Sequence, residues 1–243
     1  MTLLSNTILA ELQGVASAEK RAVMMRFFKT APGEYGEGDE FLGIPVPLVR
    51  SIAKGFSSKA DMETIGWLII SPWHEVRLCA LLLLIERLKK RPEEHDNIYQ
   101  FYLKNSCFVN NWDLVDLSAP QIVGQYLLGR PRQMLYDLAA DALLWNRRIA
   151  VVSTLTFIRH RDFTDTLKLV ELLMSDKESL MHKAMGWMLR EIGKRDERTL
   201  TSFLDKRAAY LPRTALRYSL ERLSDEQRKH YMSMKRDSIH TSC

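Results

Sequence analysis

Five stretches of this chain read as the start of the same amphipathic helix: His74-Glu75-Val76-Arg77-Leu78-Cys79-Ala80, Asn110 onward, Asn146-Arg147-Arg148-Ile149-Ala150, Met181-His182-Lys183-Ala184 and Pro212-Arg213-Thr214-Ala215. Counted from His74 they recur at steps of 36, 36, 35 and 31 residues. A period of that size holds two helices and two short turns, and such a pair cannot bury its apolar face without a neighbour of the same kind. The spacing therefore predicts an all-α chain built as an alpha solenoid of helical repeats. Partner helices fall between the starts, near 92–104, 131–143, 164–174 and 197–210, with apolar residues such as Leu167, Val170, Leu173 and Met174 at helical spacing. Strand alternation is lacking, and the helical pattern breaks at Pro32, Pro45, Pro72, Pro131 and Pro212. Two less regular units, 5–30 and 45–70, come first. The glycines and carboxylates of residues 31–40 between them read as a flexible acidic loop. Residues 1–232 are expected to form a single domain and 233–243 a disordered polar tail.

Composition narrows the function classes. With 243 residues, 46% of them apolar and 27% charged, the chain can bury a substantial core. A net charge of +5 permits an anionic partner without requiring one. Cys79, Cys107 and Cys243 lack metal spacing and the six histidines form no His-x-x-x-His pair, so neither a disulfide framework nor a metal site is expected. The start Met1-Thr2-Leu3-Leu4-Ser5 lacks the basic and apolar regions of a signal peptide. The most apolar run, residues 78–85, is closed by Arg77 and Glu86 and is too short to cross a membrane. A reducing, cytoplasmic setting fits these features.

The repeat register suggests what the inner helices present. Arg77, Asp113, Arg148 and Lys183 hold nearly equivalent early positions, and Arg213 follows in the last unit. In a stacked array such positions align, and basic residues beside helix N-termini would hold successive phosphates of a nucleic-acid backbone. The alternative is that they form salt bridges between repeats. An acid among these bases calls for a reason. Trp112 and Asp116 lie four residues apart, on one face of a helix. The ring could stack on a cation and the carboxylate could stabilise one. Alternatively Asp116 answers the helix dipole and Trp112 is a core ring. Lys183 and Trp187 repeat the spacing, whereas Trp67, Trp73 and Trp145 have no such pairing and read as packing residues.

Three motifs in order, Asn110-Asn111-Trp112-Asp113-Leu114-Val115-Asp116, Trp145-Asn146-Arg147-Arg148-Ile149-Ala150 and His182-Lys183-Ala184-Met185-Gly186-Trp187-Met188-Leu189-Arg190-Glu191, resemble the DNA alkylation repair (AlkD) family of HEAT-like-repeat alkylpurine glycosylases. The match runs from about residue 20 to 230. The resemblance implies a HEAT-like solenoid whose concave basic face cradles duplex DNA, and excision of N3- and N7-alkylated purines in base excision repair. By motif position it places the catalytic carboxylate on Asp116, the DNA-facing tryptophans on Trp112 and Trp187, and a backbone-binding arginine on Arg148. Lys183, Arg77 and Arg190 join the expected DNA-binding set. Family members also present an aromatic residue from an N-terminal helix, and in Met24-Met25-Arg26-Phe27-Phe28-Lys29 either Met24 or Phe27 falls there. No cofactor, metal or membrane is implied, and the protein is expected to act as a monomer associated with the nucleoid. A non-catalytic helical-repeat scaffold that binds DNA or protein is the competing expectation.

Overall fold

The structure, a computed structural model, describes residues 1–234. It is an all-α helical-repeat fold without β-strands among the described residues; an isolated bridge joins Glu40 to Trp73. Packing divides the chain into two compact units, Met1–Tyr126 and Leu127–Cys243. Of the tail expected from 233 onward, Ser233 closes the last helix and Met234 caps it, and the rest lies outside the described residues.

In the first unit α1 (Leu3–Gly14) is followed by α2 (Ala18–Phe27), and α1, α3 (Val46–Phe56) and α4 (Met62–Ile69) pack against α5 (His74–Lys90). Small polar residues start the helices at the positions that need them. Thr2, Ser17 and Asp61 each accept a hydrogen bond from the backbone N–H three residues on, satisfying a donor with no partner inside the helix. Helix α5 is apolar on every side from Val76 to Ile85, apart from Arg77, because α1, α3, α4, α6 (His95–Lys104) and α7 (Trp112–Ala119) pack around it. Each buried leucine there contributes roughly 1.5–3 kcal/mol. Such a run, eight or more residues long, marks a central helix rather than a membrane span.

Residues 31–40 are more constrained than a flexible loop. They fold as successive turns in which Gly33 N–H donates to Glu37 (2.8 Å) and Gly36 N–H to the Lys29 carbonyl (3.0 Å). The turns end on Asp39, which is only 5% exposed. The chain then enters the core, where the buried Glu75 carboxylate accepts the N–H groups of Leu42, Gly43 and Ile44 at 2.8, 2.8 and 3.0 Å. Gly43 has φ +82°, and a Cβ there would meet the Ser17 carbonyl oxygen at 2.2 Å, so only glycine fits beside α2.

Pro120 follows α7 without breaking the chain's helical course. Proline has no N–H to close onto the Asp116 carbonyl, and the backbone widens into a π-helical turn, Pro120–Gly124, continued by α8 (Gln125–Leu127).

The second unit comprises α9 (Gln133–Ala139), α10 (Leu144–Ser153), α11 (Leu155–Arg159), α12 (Thr164–Leu172), α13 (Ser179–Gly193), α14 (Glu197–Arg207), α15 (Arg213–Ser219) and α16 (Asp225–Ser233). Helices α10, α13 and α15 occupy the inner positions expected from the period and pack in succession, α10 on α13 and α13 on α15. Gly186 sets the closeness of the second contact, since a Cβ there would lie 2.5 Å from the Ala215 carbonyl and from Tyr218 Cβ.

The hydrogen bonds also refine the repeat register. Arg77 donates to the carbonyls of Ser71 and Pro72 at 2.8 and 2.9 Å, and Arg147 does the same to Asp141 and Ala142 at 3.0 and 2.6 Å. His182 Nε2 meets the Asp176 carbonyl at 2.6 Å. Arg77 is thus the counterpart of Arg147, not of Arg148. These side chains hold the turns that precede α5, α10 and α13.

Candidate active site

Helix α7 places the first candidate residues. Asn111 accepts from the Trp112 N–H (2.9 Å) and starts the helix, so that Trp112 and Asp116 follow on one face. Both are half-buried. The indole is braced by rings from the end of α2: Phe28 stacks on it with centroids 5.4 Å apart, and Phe27 meets it edge-on at 6.0 Å. Phe27 itself is 62% exposed, whereas Met24 is half-buried. Behind Asp116 the buried Tyr102 hydroxyl bonds Ser118 (2.9 Å). Burial, with the Asp116 charge added, pushes that phenol far above its usual range, so Tyr102 stays neutral.

Next to this face lies a buried charge cluster. His74 is 2% exposed, and its Nδ1 and Nε2 each lie 2.9 Å from a carboxylate, Asp39 and Asp113 respectively. Burial opposes charge on the imidazole, but hydrogen bonds and attraction from Asp113 and Asp39 outweigh it and lift His74 to about 9. Asp39 also receives Arg77 (2.5 Å) and Asn111 (3.5 Å). Burial would raise the Asp39 carboxyl; His74 and Arg77 more than compensate and hold it below the usual carboxylate range. Arg77, at 3% exposure, is therefore engaged by Asp39 and two carbonyls instead of lying on an open surface as a basic track requires.

The second unit carries the remaining candidates. Lys183 is exposed and Trp187 half-buried one turn further along α13. Arg148 on α10 is 4% exposed and donates to the Leu180 carbonyl (2.6 Å), which bonds α10 to the first turn of α13. Arg190 pairs with Glu221. Among the described residues, no group of three or more His, Cys, Asp or Glu side chains could hold a metal ion, and no helix is long and apolar enough to cross a membrane.

Sequence reasoning missed Phe28, His74 and Asp39. Phe28 was hidden because two adjacent phenylalanines face different ways at a helix end. His74 and Asp39 are brought together across 35 residues, and the only local sign was a histidine three residues before an arginine, Arg77, at a helix start.

In class, this is an all-α helical-repeat protein whose inner helix α7 presents a ring and a carboxylate together. Residues 8–223 match the family described as DNA alkylation repair enzyme, and the chain belongs to that family. A solved structure described as "Predicted DNA alkylation repair enzyme from Enterococcus faecalis" shares the fold, with a TM-score of 0.66 at 20% identity over 86% of this chain and 97% of that one. No curated protein matches the chain.

Proposed function

We propose that the protein is a DNA glycosylase that excises N3- and N7-alkylated purines from duplex DNA, with Asp116 as its catalytic carboxylate. The observation that carries this reading is the α7 face, where Asp116 lies one turn from a tryptophan braced by Phe28 and flanked by the exposed Phe27. Membership of the DNA alkylation repair enzyme family supports it.

The chemistry suits those groups. An N3- or N7-alkylated purine already carries positive charge, so it leaves with little help from a proton donor. As the bond from C1′ to the purine nitrogen breaks, its electron pair neutralises the departing base and positive charge gathers on the deoxyribose. The Asp116 carboxylate stabilises that oxocarbenium-like sugar. It also orients the water whose oxygen bonds to C1′ and whose proton is released. The Trp112 and Phe27 rings favour the cationic lesion by cation-π attraction, roughly 0.5–2 kcal/mol each. In the second unit, exposed Lys183 is the plainest phosphate contact and Trp187 lies beside it on the same helix face. Arg148 and Arg190 serve this reading by holding α13, through Leu180 and Glu221. The protein acts on DNA as a monomer.

Release of free base from a duplex carrying N7-methylguanine, wild type against Asp116→Asn at equal concentration, tests the proposal. Release by the wild type alone is expected. Equal release by both removes Asp116 from its role, and binding without release by either would make the protein a DNA-binding scaffold.

A further inference from the structure

We propose that His74 is a positioning residue for this site: bridging Asp39 and Asp113 as an imidazolium, it fixes the first turn of α7 and so aims Trp112 and Asp116. The inference rests on the reading of Asp116 and Trp112 given above.

Hydrogen-bond chemistry requires the charge. A neutral imidazole has one donor and one acceptor nitrogen, yet both nitrogens of His74 face carboxylate oxygens at 2.9 Å, and an ionised carboxylate only accepts. Only the protonated ring satisfies both. The charges facing it agree. Asp39 arrives from the loop before α3, Asp113 from α7 and Arg77 from α5 itself, while α2 and the chain after the loop contribute the uncharged rings of Phe28 and Phe41. With His74 charged the cluster holds two positive and two negative groups; deprotonation leaves an uncompensated negative charge in the core.

Two routes run from this ring to α7. One is Asp113, the residue next to Trp112. The other is a stack in which Phe41 lies 4.4 Å from the imidazole, Phe28 lies 5.1 Å from it, and Phe28 in turn stacks on Trp112. Asp39 adds a third tie through Asn111, the residue that starts the helix. Neutralising His74 thus loosens the helix turn whose face carries Trp112 and Asp116. The lift of the imidazole to about 9 places that loosening well above neutral pH.

The test compares wild type, His74→Gln, Asp113→Asn and Asp116→Asn in single-turnover base release from near-neutral to alkaline pH. In parallel, the emission of Trp112 is followed without DNA, as the difference from Trp112→Phe in each background. The wild-type rate and the Trp112 signal are expected to change together near pH 9. Folded His74→Gln should release base at least tenfold more slowly at neutral pH, bind DNA within a few-fold of wild type, and lack the alkaline transition. Asp113→Asn, which keeps the Asp39 and Arg77 contacts, should shift the transition to lower pH; this arm decides the question if His74→Gln does not fold. A wild-type rate in folded His74→Gln, or an alkaline transition that neither variant moves, overturns the proposal. If instead Asp116→Asn is as active as wild type, or the wild type releases nothing, the reading of the site fails. The Trp112 titration then still decides whether His74 clamps α7.

Discussion

At the scale of the residue, the candidate site combines local and distant determinants. Trp112 and Asp116 share a face because helical spacing puts them there, and that pair was legible in the sequence. The partners of His74 were not, since Asp39 and Asp113 lie 35 and 39 residues away and only the folded chain brings them together. Arg77, whose position in a run of basic helix starts suggests a phosphate contact, has its guanidinium bound by Asp39, a partner that its local sequence does not reveal. Linkage makes the His74 cluster measurable in stability. Its pKa is raised from 6.5 to about 9 in the folded protein, so the stabilisation is complete below about 6.5 and is lost as pH rises through about 9. At 1.36 kcal/mol per unit the effect is on the order of 3 kcal/mol. Thermal unfolding followed from neutral to alkaline pH should show this fall in the wild type and a much flatter profile in His74→Gln. A wild-type profile that stays flat contradicts a charged His74.

At the scale of the element, repeat spacing located α5, α7, α10, α13 and α15, because amphipathic periodicity is a local property that packing then uses. It was blind to Pro120, where helical residues on both sides turn a breaker into a π turn just beyond Asp116. It also read residues 31–40 as loose, since composition does not reveal that Asp39 is anchored in the core. Two substitutions probe how elements are joined. Glu75→Ala leaves the N–H groups of Leu42, Gly43 and Ile44 without their acceptor, at about 1–3 kcal/mol for each buried group. The variant should lose several kcal/mol in denaturant unfolding, with Glu75→Gln intermediate; a loss below about 1 kcal/mol would show that the segment does not depend on that carboxylate. Gly186→Ala forces α13 away from α15, for which overpacking costs of about 1–3 kcal/mol are typical. A lowered Tm is expected, and an unchanged one would mean that the two helices separate freely.

At the scale of the whole molecule, the period near 35 residues established the all-α repeat architecture, while the division into Met1–Tyr126 and Leu127–Cys243 had no signal in composition or spacing. Family membership places the protein in DNA alkylation repair, and its net charge of +5 accords with a polyanionic partner. Binding to duplex DNA should weaken log-linearly with salt, with a slope set by the number of phosphates neutralised. Lys183→Ala should reduce that slope by about 1. Affinity indifferent to salt would contradict a phosphate-binding surface. The central claim is that Asp116 carries out hydrolysis of a cationic nucleotide, and the most direct test is release of N7-methylguanine from duplex DNA by wild type and Asp116→Asn under single-turnover conditions. The account predicts release by the wild type and a loss of at least a hundredfold in the variant, with DNA affinity preserved. Comparable release by both, or none by a wild type that still binds the DNA, would contradict it.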